Sequence, residues 1–304
     1  MGKRGGNGAR PCPGGPNPAT FQEVSSTSDF GLAGEKHRRR GEFPEAEVLL
    51  RRAVSVAEEA EPFDPQALAV ALNGLGLVCK DLGKYDEGRA AYRRALGLLR
   101  AARRPDENWI ATIYQNFGGI EHAAGRYEEG EPFAREGLEI RRRIGADDET
   151  IATDLAALAA ILDARGEADQ AEAFYREALC VFERDPAGNA GDIAGALNGL
   201  GALLARRGQL EEAEPLLERS VALKQTILGP IHAGVAVTLN NLGYVYRQRG
   251  QIARATATYA AALQLFERTL GSRHPKTVAC HGNHVRCRAD SLADEVDRRD
   301  VTRV

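Results

Sequence analysis

Apolar side chains recur three and four residues apart along most of the chain, from Phe30 to the neighbourhood of Arg288, and a glycine interrupts the pattern at regular intervals. That spacing keeps apolar groups on one face of a helix and does not suit a strand. Gln66 to Leu82 and Tyr85 to Arg103 are two such stretches on either side of Gly83; Ile193 to Arg207 and Leu210 to Leu228 are another two around Gly208. The predicted elements are therefore helices in pairs, joined by tight turns. Glycine suits such a turn because it takes a positive φ after a helix end without a Cβ clash.

The turn glycines, Gly41, Gly83, Gly125, Gly166, Gly208 and Gly250, follow one another at steps of 42, 42, 41, 42 and 42 residues. A fixed period of this length marks a repeat architecture. Large apolar residues hold the position eleven before each turn (Phe30, Leu72, Tyr114, Leu155, Leu197, Leu239), and seven before it stand Gly34, Gly76, Gly118, Ala159, Gly201 and Gly243. Five after the turn come Ala46, Gly88, Gly130, Ala171, Ala213 and Ala255, and seven further on Ala53, Ala95, Gly137, Ala178, Ser220 and Ala262. Glycine inside a helix costs about 1 kcal/mol relative to alanine, so a column of minimal side chains implies close helix-helix approach.

This pattern resembles the tetratricopeptide repeat family, with Leu239, Leu242, Gly243, Tyr246, Gly250, Ala255, Tyr259 and Ala262 as the fullest match. The period exceeds that family's usual ~34. The phrases Thr238 to Gly243 and Leu270 to Pro275 are similar to the repeat start and inter-repeat loop of the kinesin light chain type. HEAT-like repeats share the period but do not predict the column of small residues, and a propeller would need strands. The resemblance implies an all-α solenoid, a right-handed superhelix of helix-turn-helix hairpins whose first helices line a concave groove for an extended peptide.

The expected organisation is a disordered Gly/Pro-rich tail over 1–29, an array over 30–288 of six hairpins and a partial seventh capping helix, and a polar, charged tail over 289–304. Composition adds exclusions. Forty basic against 43 acidic residues leave a formal charge of −3, which disfavours nucleic acid as a partner. No run approaches the ~18 apolar residues of a membrane span. Five cysteines without paired spacing point to reduced thiols and a cytoplasmic setting.

Candidate groove residues follow from the register. Ten before each turn stand Asn73, Gln115, Asn198 and Asn240 (with Gly31 and Ala156), carboxamides suited either to the backbone of an extended peptide or to a hydrogen-bond ladder between repeats. Two and three before it, Arg38, Arg39, Lys80, Arg206 and Arg247 outnumber Asp81 and Asp163, with His122 alongside, which favours an acidic partner. Tyr244 and Leu77 add apolar surface. Cys280, His284 and Cys287 share a helical face and are the candidate metal ligands, but a capping helix explains them as well and no metal or other cofactor is expected. No nucleotide loop or nucleophile context occurs, so the expected function is a non-enzymatic scaffold that binds another protein through a short acidic peptide. The alternatives are a regulatory sensor that changes superhelical shape and self-association through an end repeat.

Overall fold

The structure, a computed structural model, describes residues 26–301, with side chains to residue 290; residues 1–25 and 302–304, and with them most of the expected tails' outer ends, lie outside the described residues. Thirteen helices and no strand occur among the described residues. In chain order they are α1 (Thr27–Arg39), α2 (Phe43–Glu58), α3 (Pro65–Asp81), α4 (Tyr85–Ala101), α5 (Glu107–Ala123), α6 (Tyr127–Arg143), α7 (Asp148–Ala164), α8 (Ala168–Phe182), α9 (Ala190–Arg206), α10 (Leu210–Leu228), α11 (Ala233–Gln248), α12 (Ile252–Leu270) and α13 (Pro275–Val301). The first helix begins inside the stretch expected to be tail, where Ser26 and Asp29 form a reciprocal capping box.

Each turn glycine adopts the left-handed conformation, with φ between 70° at Gly250 and 88° at Gly166. Carboxylates of Asp64, Asp106 and Asp147 accept from the first backbone N–H groups of α3, α5 and α7, and so set where those inner helices start. His232 does the same for α11 through its Nδ1, 2.9 Å from the Gly234 nitrogen.

Packing follows the small-residue columns. A Cβ on Gly118 would stand 3.1 Å from the Gly130 carbonyl oxygen and 3.3 Å from the Ala134 nitrogen, so α5 and α6 touch backbone to backbone. At Gly76 and Gly243 the space is filled by the rings of Tyr92 and Tyr259. Where serine replaces alanine in the second column, Ser220 is fully buried and its hydroxyl donates to the Ala194 carbonyl at 2.6 Å. Every helix packs on its successor, and the odd-numbered helices also touch one another along the array, α1 on α3 through α11 on α13. The odd helices are therefore the crowded inner layer of an all-α solenoid.

The curvature is strong enough for the array to meet itself. Gly41, in the first turn, lies against His232, whose ring meets Phe43 edge-on with centroids 6.1 Å apart. Gly83, in the second turn, lies against His274 and Pro275. Both glycine-histidine pairs are 191 residues apart in the chain, 41 to 232 and 83 to 274, so one contact recurs at successive repeats. Each histidine is pinned through Nδ1, His274 by the Lys276 N–H at 3.1 Å, leaving its Nε2 for the earlier turn. His232 lies by the Arg38 carbonyl and His274 by that of Asp81.

Gly118→Val should cost about 3 kcal/mol in chemical denaturation, because its neighbours at 3.1–3.3 Å include backbone that cannot swing away. Gly97→Ala, in an exposed helical position with nothing within 4 Å, should be neutral or stabilise by up to about 1 kcal/mol. Equal effects of the two substitutions would contradict the close-approach account.

Candidate functional site

The inner wall carries two ladders of side-chain bonds, each joining one repeat to the next by a step of 43 residues. In the carboxamide ladder, Asn116 Nδ2 donates to Asn73 Oδ1 at 2.8 Å, Asn241 to Asn198 at 3.0 Å and Asn283 to Asn240 at 2.9 Å. The residue ten before a turn is thus tied to the residue nine before the following one. In the ionic ladder, Arg38 Nη1 donates to Asp81 at 2.9 Å, Arg247 Nε to Asp290 at 2.6 Å, and Arg206 reaches back to Asp163. Glu35 completes a bidentate grip on Arg38.

These ladders put several sequence-derived candidates in new company. Arg38, Arg206 and Arg247, three of the five basic residues counted at the groove edge, are spent on carboxylates of neighbouring repeats. Asn73, Asn198 and Asn240 use their carbonyl oxygens internally, while their own Nδ2 groups have no protein partner among the described residues. The donors Asn116, Asn241 and Asn283 and the acceptor Asp290 were not among the candidates. Reading columns nine and two before the turn against those ten and three before the preceding one would have found them.

The junction between the third and fourth repeats has a rung of neither ladder, whereas each of the others among the described repeats has at least one. The position that should answer Gln115 is Ala157, and the one that should answer His122 is Ala164. Lys80 likewise faces Ala123 rather than a carboxylate. With Gly119, Ala156 and Ala160 also small, the middle of the wall is open. His122 is half-buried with its ring 5.6 Å from that of Tyr127. Burial lowers its pKa, and Lys80 and Lys276 push the same way against Asp163 and a hydrogen bond to the Ala160 carbonyl. Burial also lowers Lys80.

Behind this gap the third and fourth repeats are joined through the core. Arg141 of α6 lies 3.6 Å from Asp154 of α7, both buried, and bonds Asn108 and Thr112 of α5. Burial pushes the Asp154 carboxyl up to about 6 despite the guanidinium. At the other end of the wall, Leu32, Val70, Leu77 and Asn73 line a notch of about 590 Å³ between α1 and α3. Tyr244 is half-buried against the core. Cys280 and Cys287 are buried, their sulfurs against the Tyr259 carbonyl (3.8 Å) and the Thr256 hydroxyl (3.3 Å), while His284 is half-buried. No cluster of three or more His, Cys, Asp or Glu suited to a metal occurs among the described residues. Nor does any helix there have the length and apolarity to cross a membrane.

A family model described as tetratricopeptide repeat matches residues 31–101, 67–143, 109–184, 192–268 and 235–290. Among solved structures, BtubC (BKLC) from P. vanneervenii is similar with a TM-score of 0.53 and 24% identity, over 79% of this chain and 93% of that one. A Rap protein complexed with competence and sporulation factor aligns with a TM-score of 0.60 at 14% identity, over 91% of this chain and 79% of its own. No significant match is found among curated protein sequences.

A double-mutant cycle on Asn198 and Asn241 should return a coupling of about 0.5–1.5 kcal/mol in denaturation, whereas Gln115 with Ala157→Ser should return none. The Asp154 carboxyl is raised in the fold, so its protonated form stabilises the protein at low pH and that contribution is lost as pH rises through about 6. Asp154→Asn should therefore raise stability at pH 7.5 by about 1–2 kcal/mol, and the advantage should vanish near pH 4. A destabilised Asn variant at pH 7.5 would show that the ion pair outweighs desolvation.

Proposed function

The chain belongs to the tetratricopeptide repeat family, and from the geometry of its inner wall we propose a non-catalytic docking scaffold that holds an extended, acidic peptide segment of another protein. The observation that carries this reading is the gap in both ladders. Gln115 lies in the middle of the concave wall opposite Ala157, with no side-chain hydrogen bond among the described residues, His122 reaches only the Ala160 carbonyl and the field of Asp163, and the wall around them is lined by glycine and alanine. Between repeats that are otherwise laced together, such a gap leaves hydrogen-bonding capacity and room for a main chain.

An extended segment there would take its carbonyl bonds from Gln115 and from the unused Nδ2 groups of Asn73, Asn198 and Asn240, which bond backbone irrespective of sequence. Lys80, which makes no ion pair among the described residues, would favour Asp or Glu, while the paired Arg38, Arg206 and Arg247 hold the repeats in register. Tyr244 and the notch beside Leu77 would take apolar side chains. The fold shared with the Rap protein that is complexed with competence and sporulation factor supports a ligand-binding role. Free thiols at Cys79, Cys180, Cys280 and Cys287 suit a reducing cytoplasm. Burial holds the Cys79 thiol up near 11, unlike a nucleophile's, in keeping with a binding rather than a catalytic role.

A second reading, a sensor that changes shape, is favoured by the self-contact at His232 and His274, because a few residues hold a long coil closed; a ligand-dependent radius of gyration in solution scattering would mark it. Self-association through α13 is favoured by Val278 and Val285, which are 58% and 49% exposed, and sedimentation over a concentration range would reveal it. Nucleic acid is not proposed as a partner.

Affinity selection from a library of extended peptides should yield acidic ligands of about micromolar affinity. Gln115→Ala should weaken the selected ligand about tenfold with the melting temperature unchanged. Selected peptides without acidic residues, or ones indifferent to Gln115→Ala, would overturn the proposal.

A further inference from the structure

The inner helices do not all start on the same kind of cap. Asp64, Asp106 and Asp147 cap α3, α5 and α7 with carboxylates, whereas α11 and α13 start on the imidazoles of His232 and His274. The change falls at the two repeats whose loops meet the early turns. His232 holds its ring carbon Cδ2 3.3 Å from where a Cβ on Gly41 would lie, and His274 holds its Nε2 3.3 Å from the same point on Gly83. Phe43 meets the His232 ring edge-on from the start of α2.

Each ring therefore works in two directions. Its Nδ1 accepts a backbone N–H, from Gly234 at 2.9 Å in one case and from Lys276 at 3.1 Å in the other, so the ring is neutral with its hydrogen on Nε2. Across the seam lie the carbonyls of Arg38 and Asp81. A carboxylate would cap these helices equally well but would set two acceptors against each other there. Protonation turns the cap acceptor into a donor aimed at an N–H and puts a cation on the positive end of a helix. The surroundings add to that cost. Around His232 stand Arg38 and Arg39 of α1, Asp81 of α3, Lys224 of α10 and Lys276 of α13, and around His274 stand Lys276 and Asp81. Asp81, the carboxylate in both sets, is already held by Arg38 at 2.9 Å. Burial lowers both imidazoles from their ordinary value, so the neutral rings favour the closed seam above pH ~6.5 and that contribution is lost as pH falls below it.

We propose that His232 and His274 form a proton-sensitive latch: neutral, they hold the loops before α11 and α13 against the first and second turns, and protonated, they release the seam and let the coil open. The two contacts act together because one 42-residue step separates both the turns, Gly41 and Gly83, and the histidines. The latch goes beyond the groove reading and stands whatever the inner wall binds.

Hydrogen exchange and solution scattering of the full chain at pH 7.5 and pH 5 test it. From the higher to the lower pH, the protection factors of the Gly234 and Lys276 amides should fall about tenfold after correction for intrinsic rate, and the radius of gyration should rise. The Thr150 amide, which the Asp147 carboxylate caps at 2.7 Å, should keep its protection. His232→Asn combined with His274→Asn keeps a cap oxygen and an amide donor but removes the titrating rings, and should leave the radius the same at both pH values. His281→Asn combined with His284→Asn, within α13, should respond to acid as wild type does. If the His232/His274 variant melts well below wild type at pH 7.5, the exchange of Gly234 and Lys276 in the unmutated chain decides alone. A wild type whose protection and radius do not change at pH 5, or a His232/His274 variant that opens as far as wild type, overturns the latch. A radius that rises while Gly234 and Lys276 stay protected assigns the opening to another group, and overturns it too.

Discussion

Close approach of helices at glycine and alanine is the constraint from which the rest of this molecule follows. With Gly118 against Gly130 and Gly76 under the Tyr92 ring, the two helices of a hairpin cannot adopt a different separation without either a clash or a void. Because the same small residues recur in every repeat, successive hairpins meet in nearly the same way and their small rotation accumulates in one sense. The odd helices are crowded onto the inside, where they touch one another as well as their partners.

That regular geometry explains why the inner-wall bonds all use one step. Residues 43 apart are brought within hydrogen-bond reach, and chemistry then decides whether a rung forms: Asn with Asn, or Arg with Asp. Partly exposed pairs of this sort each contribute little, about 1 kcal/mol or less. Their larger effect is on register and on what remains available to a ligand. At the third and fourth repeats the rungs are absent and the buried Arg141–Asp154 pair, packed behind the wall, joins the two repeats instead. The coupling between those repeats has thus been moved off the surface that a ligand would use.

Strong curvature also has an electrostatic consequence. Two histidines at equivalent loop positions, each pinned by its own helix start, contact turns almost a whole coil earlier. The same contact sets Lys276 in one cavity with Arg38 and Asp81 of the first two repeats. Charge that looks scattered along the chain becomes concentrated inside the coil. Arg38, Arg206 and Arg247, which look like a free basic edge when read linearly, are by contrast neutralised by Asp81, Asp163 and Asp290.

The helices, their pairing, the glycine turns and the family were legible in the sequence, because they depend on local conformational preference and on short-range periodicity, which linear spacing records directly. The six glycines at near-constant steps called for left-handed turns, and each has a positive φ. Which carboxamides face one another, which arginines are already paired, and that His232 and His274 touch Gly41 and Gly83 were decided only by the tertiary structure. Those contacts depend on the angle accumulated over several repeats. A small rotation per hairpin, set by the packing of many side chains at once, moves residues nearly two hundred positions apart into or out of reach, and no single stretch of sequence carries its value.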